Sequence, residues 1–143
     1  MPMPSEYALA QRQFDAFMAE LQEELSTISR NIAYTTLQSV FIVFRRRLSV
    51  AQAIDFAQYL PPILRAIFVS EWNPAEPLRP WDALDVLDQE VKTIRQHHNF
   101  SKDGAIAAVS TVLWRHVDAY RFRFVLDRLG PQAQAFWVNG ASL

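Results

Sequence analysis

Three groups of residues have types and spacings that could do chemistry. The first is His97-His98, since imidazoles are common transition-metal ligands. Adjacent side chains on an extended segment point to opposite sides, so one ion would not take both. Asp88 and Glu90 lie about two turns upstream, but the HExxH spacing that sets two histidines on one helix face does not occur. The pair therefore reads as a polar turn between helices, and no metal ligand is assigned. The second group is His116 with Asp118, whose chemistry would be acid–base. Both also sit where one helix should end and the next begin. There His116 complements a helix dipole and Asp118 caps the following helix. No GxSxG motif accompanies them, and three glycines in the whole chain make no phosphate-cradling loop. No catalytic or cofactor-binding residue is assigned, and the reading leans away from an enzyme.

The third group is basic and aromatic. Arg45-Arg46-Arg47 and Tyr120-Arg121-Phe122-Arg123-Phe124 set guanidiniums among rings, a composition able to grip phosphates and stack on bases. With Arg115 they give six candidate phosphate contacts: Arg45, Arg46, Arg47, Arg115, Arg121 and Arg123. That use requires them to gather on one face. The competing expectation is that their stems cover apolar surface, balanced by Glu20, Glu23 and Glu24. Trp72 and Trp81 flank a proline-rich stretch. An indole left exposed there would anchor a partner, while one turned inward would pack the stretch on the bundle. Arg65, Trp72 and Trp81 are the candidate partner-binding residues, with a helix-end carbonyl or carboxylate as the structural alternative for Arg65.

These side chains need elements to position them. The chain has 143 residues, 50% hydrophobic and 20% charged, which suits one globular domain with a core. Net charge is −1, so the basic field typical of a DNA binder is absent and argues against a nucleic-acid partner. There is no cysteine, which excludes disulfides and cysteine metal sites and suits a reducing cytoplasm. The N-terminus lacks the pattern of a secretory signal, and the apolar run at Val40–Phe44 is far short of the ~20 residues that span a bilayer. The expectation is a cytoplasmic protein with no membrane segment.

Hydrophobic spacing then gives helices throughout. Ser5 is positioned to cap a first helix whose core face is Phe14, Phe17, Met18, Leu21, Leu25 and Ile28. Ser29 caps a second, apolar most of the way round and so central. Ser49 and Gln52 form a capping box for a third, which ends at Leu60 before Pro61-Pro62. A short helix leaves that corner with Ile63, Leu64, Ile67 and Phe68 inside. Asn73 to Pro80 holds three prolines and reads as a stiff linker. The pattern then recurs. Asp82 caps a helix with Leu84, Leu87, Val91 and Ile94 inside; Ser101, with Asp103, caps the next; Asp118 caps a third; Gly130-Pro131 makes the corner. At an offset of 69 residues Leu60 aligns with Leu129, Pro62 with Pro131, Arg46 with Arg115 and Phe68 with Trp137. The expected fold is all-α, a helical bundle of two tandem pseudo-symmetric units of about four helices each. As one domain it divides into unit one at about 5–72, a linker at 73–80 and unit two at about 81–138.

The corner Leu60-Pro61-Pro62-Ile63-Leu64-Arg65-Ala66-Ile67-Phe68, followed by Glu71-Trp72 and a proline-rich link into a second copy, resembles the bacterial family called domain of unknown function 2267. The likeness covers about Phe14 to Trp137. Members are similar in having a Leu-Pro-x-x-Leu-Arg corner, a Gly-Trp pair and a repeat. Here Glu71 stands in place of the glycine, and the second corner has Gly130 instead of proline and lacks the arginine. The resemblance implies an all-α fold and no particular activity, so the corner residues carry over as structural positions. The leading functional expectation is a non-enzymatic protein-interaction or regulatory module, binding a protein partner or a second copy of itself. The alternatives are a nucleic-acid-associated regulator and a small-ligand binder or enzyme with a cleft between the repeats, for which His116, Asp118 or His97 would have to converge.

Overall fold

Helix follows helix through the described residues, and several begin or end for a reason that can be named. The structure is a computed structural model that describes residues 2–94 and 104–138. Among these residues there are nine α-helices and no strand. They are α1 (Ser5–Ala8), α2 (Ala10–Glu24), α3 (Arg30–Arg45), α4 (Val50–Ala57), α5 (Pro62–Val69), α6 (Leu84–Ile94), α7 (Ala105–Trp114), α8 (Ala119–Leu129) and α9 (Pro131–Phe136). The fold is all-α, and no helix among the described residues is long and apolar enough to cross a membrane.

Several starts follow the capping chemistry. Ser29 Oγ accepts the Ile32 N–H at 3.1 Å. Ser49 and Gln52 close a reciprocal box at 3.1 and 2.9 Å, and Asp118 accepts from the Arg121 N–H at 3.1 Å. Others depart from expectation. Ser5 is the first helical residue and Pro4 occupies the cap position, with no side-chain bond. Asp82 accepts from the neighbouring Ala83 N–H at 2.8 Å, and α6 begins only at Leu84, which is exposed. Ser101, Asp103 and the His97-His98 turn lie outside the described residues.

The core is one hydrophobic cluster running through helices on both sides of the proline-rich stretch. α3 and α7 are its central members, each buried on several faces. The rings interlock: Phe44 lies 4.8 Å from Phe56, 4.9 Å from Phe136 and 5.3 Å from Trp137, and Phe56 lies 5.5 Å from Phe122. Such pairs add about 0.5–1.5 kcal/mol each beyond the area they bury. α2 lies against α7 as well as against α3, and α6 lies against α3 as well as against α7. Thus the first long helix on each side of the linker packs on the central helix of the other side.

Three local features correct the sequence reading. Ile28 does not join the α2 core face. The helix ends at Glu24, Ser26 turns the chain at φ 53°, and Ile28 is fully exposed. The two corners also differ in backbone. Pro61 sits at φ −55° and ψ 153°, whereas Gly130 sits at φ 106° and ψ 177°, a region that suits only glycine. Both nonetheless place a proline at the start of the next helix, where its missing N–H costs nothing. Finally, Glu71, standing where the family pattern has glycine, adopts φ 54°.

Candidate functional site

The crossed packing of α2 on α7 and of α6 on α3 creates two ionic clusters, one at the end of each central helix. At the end of α3, Arg47 is buried among acceptors. Its Nη2 and Nη1 donate to the two carboxylate oxygens of Glu90 on α6 at 2.6 and 2.7 Å. Nη1 also reaches the Val43 carbonyl at 2.9 Å, and Nε the Pro80 carbonyl at 3.2 Å. Arg46 adds a bond to Glu90 at 3.1 Å, while its backbone carbonyl accepts the Arg79 N–H at 3.0 Å. Burial alone would push the Glu90 carboxyl up, but hydrogen bonds from Arg47 and Arg46, with their charges, hold it below the ordinary carboxylate range. This end is closed.

The end of α7 is built from the matching residues and stays open. His116 Nε2 lies 2.6 Å from Glu20 Oε2 on α2, and Arg115 Nη1 lies 3.3 Å from Glu20 Oε1. The imidazole meets the Phe17 ring edge-on at 5.3 Å. Beside this pair is a cleft of about 320 Å³ between the start of α2, the start of α5 and the α7–α8 turn. Phe14, Phe17, Ile63 and Leu64 give it apolar walls, while Gln13, Arg115 and His116 supply polar groups. A second hollow of about 210 Å³ shares Gln13, Pro61, His116 and Val117 and continues past Tyr59, Asp118 and Arg121. The two form one groove crossing the Leu60-Pro61-Pro62 corner. No Ser, Thr or Cys lines it among the described residues, and the Tyr59 hydroxyl in its outer hollow accepts from Arg128 Nη2 at 2.9 Å. It is a trough of mixed polar and apolar lining with an oriented carboxylate–imidazole pair beside it. Asp118 caps α8, as its spacing suggested, and faces the outer hollow as well.

Of the other predicted site residues, Arg115 and Arg121 line this groove and the rest lie elsewhere. Arg45 is buried, donating to the Phe68 and Ser70 carbonyls at 2.8 and 3.2 Å and lying 5.6 Å from the Trp72 ring. Burial lowers its pKa. Arg45 and Arg47 therefore spend their donors inside the fold, which weighs against phosphate contact by either, and Arg46 is largely committed to Glu90. Arg115 is half exposed beside Glu20 and Glu24. Arg121 and Arg123 are exposed, over the rings of Tyr59 and Trp114 at 5.4 and 5.7 Å. Trp81 turns toward Phe44 and Phe136, and Trp72 packs against the core, so neither indole stands free beside the linker. Arg65 is half-buried on α5; its N–H donates to the Pro61 carbonyl at 2.9 Å, and its side chain makes no hydrogen bond or ion pair among the described residues. No group of three or more metal-ligating side chains gathers among the described residues.

Gln13, Phe14, Glu20 and Pro61 were not singled out from the sequence as site residues. One signal did point toward them. The 69-residue offset that aligns Arg46 with Arg115 also aligns Arg47 with His116, a smaller side chain.

Fold and groove together define an all-α helical bundle with a concave surface where helices from both sides of the linker meet. The sequence pattern of a family described as uncharacterized conserved proteins, DUF2267, matches residues 14–136, and the chain belongs to that family. No curated protein matches the chain.

Proposed function

We propose that this chain is a non-enzymatic binding module, and that it engages its partner through the groove at His116. The supporting observation is the hydrogen-bonded Glu20–His116 pair set beside a part-apolar cleft with no Ser, Thr or Cys among its described lining residues. Cavities of this size class, mostly apolar with a few placed polar groups, are the usual form of a binding site. The reading takes the chain as one cytoplasmic domain of two units, about 5–72 and 81–138, joined by 73–80. It moves the partner-binding surface from Trp72 and Trp81 to the groove. A photo-crosslinking residue at Gln13, within the groove, should capture a partner in the native host that the same residue at exposed Gln132 does not. Equal capture from both positions would refute the reading.

A second reading is supported by α8. Tyr120 and Phe124 are 82% and 55% exposed there, beside the exposed Arg121 and Arg123. Exposed rings interleaved with guanidiniums suit single-stranded nucleic acid. This reading fails if no binding to a single-stranded oligonucleotide appears at low salt, or if binding does not weaken as salt rises.

A further inference from the structure

The two ionic clusters share a plan, and at one of them the plan includes an extended segment of chain. At the α3 end, residues 79–81 run across the cluster. The Arg79 N–H donates to the Arg46 carbonyl at 3.0 Å, and the Pro80 carbonyl accepts from Arg47 Nε at 3.2 Å. The Arg79 guanidinium lies 3.6 Å from Glu90, and the next residue, Trp81, turns inward to within 5.9 Å of Phe44. At the α7 end each receiving group has a counterpart. Arg115 and His116 align with Arg46 and Arg47. Glu20 sits between buried Phe17 and Leu21 of α2 as Glu90 sits between buried Leu87 and Val91 of α6.

What differs is the segment. Among the described residues, the Arg115 carbonyl accepts no N–H and His116 Nδ1 makes no hydrogen bond. The chain that precedes α2, in the place the linker holds before α6, instead turns into α1, which buries none of its residues. The cleft lies where that segment is missing.

We propose that the groove at His116 seats an extended, proline-bearing segment of a partner protein, with a cation immediately before the proline and an aromatic residue after it. This rests on the groove being the binding surface. A segment N–H is received by the Arg115 carbonyl. The segment's cation takes Glu20, whose side chain is 32% exposed, as Arg79 approaches Glu90. Charge favours this occupant. Glu6 and Asp118 line the groove and Glu20 stands behind it on His116, while Arg115 is engaged by Glu20 and Glu24 and Arg121 lies over Tyr59. With Nε2 on Glu20, Nδ1 is the ring nitrogen that remains for the segment, at the position aligned with Arg47, whose Nε takes the Pro80 carbonyl at the other end. The apolar walls of Phe14, Phe17 and Ile63 receive the aromatic side chain.

The probe is a capped synthetic peptide with the sequence of residues 76–82, Glu-Pro-Leu-Arg-Pro-Trp-Asp, titrated into the isotopically labelled full chain and followed by NMR. Saturable shifts are expected at Gln13, Phe17, Arg115, His116 and Val117. A peptide with glutamate for its arginine should bind at least about tenfold more weakly. His116→Ala should lose the shifts. Gln13→Arg, which places a cation in the groove from an exposed position, should lose them with the melt unchanged and serves if His116→Ala does not fold. No saturable shift at millimolar peptide, shifts centred on Arg46 and Arg47, or equal binding of both peptides overturns the proposal. Indole alone is the control. If indole shifts the groove and the peptide does not, the segment proposal fails and the groove survives as a binding surface. If neither does, both fail.

Discussion

Replacing Glu90 with glutamine keeps its shape and removes its charge, and the structure sets the cost. The Arg47 side chain is 4% exposed and takes both carboxylate oxygens of Glu90, at 2.6 and 2.7 Å. Leaving one partner of a buried ion pair without its counter-charge costs about 3–5 kcal/mol. Two corrections push toward the lower end. Glu90 keeps 17% of its side chain in water, and the Val43 and Pro80 carbonyls still accept from Arg47. The expected loss is about 3 kcal/mol, which for a chain of this size lowers the melting temperature by about 6–12 °C. Glu20→Gln is the matched control. Its partners His116 and Arg115 leave it 32% exposed, so the loss should stay within about 1 kcal/mol. Thermal and urea unfolding of both variants at neutral pH make the comparison. Acidification adds a second readout. Because the folded Glu90 pKa is depressed, its stabilisation is complete above the ordinary carboxylate pKa and disappears as pH falls through the lowered folded value. In Glu90→Gln that part of the acid sensitivity should be gone. Equal losses for Glu90→Gln and Glu20→Gln, or unchanged acid sensitivity in the former, would refute the picture of one locked and one open end.

Three further outcomes follow from single residues. Glu71→Gly should raise stability by about 1 kcal/mol, since it relieves a left-handed backbone at φ 54° that costs a side-chain-bearing residue about 1–2 kcal/mol; a higher urea midpoint at unchanged slope checks it. Gly130→Ala should destabilise by about 1 kcal/mol or more through backbone strain at φ 106° alone, because an added Cβ meets nothing closer than 3.9 Å; a melt equal to wild type would contradict this. Phe56→Ala should cost about 3–5 kcal/mol, because its ring lies against Phe44, Phe68, Phe122 and Trp137; calorimetry reads the loss, and a change under 1 kcal/mol would mean the rings do not interlock.

Helix positions were legible because the signals are local. The caps at Ser29, Ser49 and Asp118 and the prolines at 61, 62 and 131 act within one turn of where they stand. Ile28 misled because its spacing continues the α2 face, and nothing in periodicity reports that Ser26 takes a positive φ and ends it. The arginines misled for a different reason. Arg45-Arg46-Arg47 looks like a solvated basic run, yet Arg45 and Arg47 turn inward because helix-end carbonyls and Glu90 meet them there. Those partners lie 23 and 43 residues away and come close only through packing. The groove was hidden in the same way. Glu20 and His116 are separated by 96 residues, and the crossed packing of α2 on α7 joins them.

The difference between Arg47 and His116 bears on where function resides. Arginine at a helix end can satisfy a carboxylate and two carbonyls at once, so Arg47 needs nothing from outside the chain. Histidine reaches less far and has two nitrogens, and with one on Glu20 the other is left over. A chain selected for stability alone would gain by closing the second end as it closed the first. Retaining a shorter side chain, a part-exposed carboxylate and an open trough together forgoes that stability, a pattern expected where binding a partner supplies the missing contacts. The Leu60-Pro61-Pro62 corner fits the same logic. Pro61 lines both hollows of the groove, whereas Gly130 at the matching position presents no side chain at all. The corner that makes the turn in the first half is thereby also a wall of the open site.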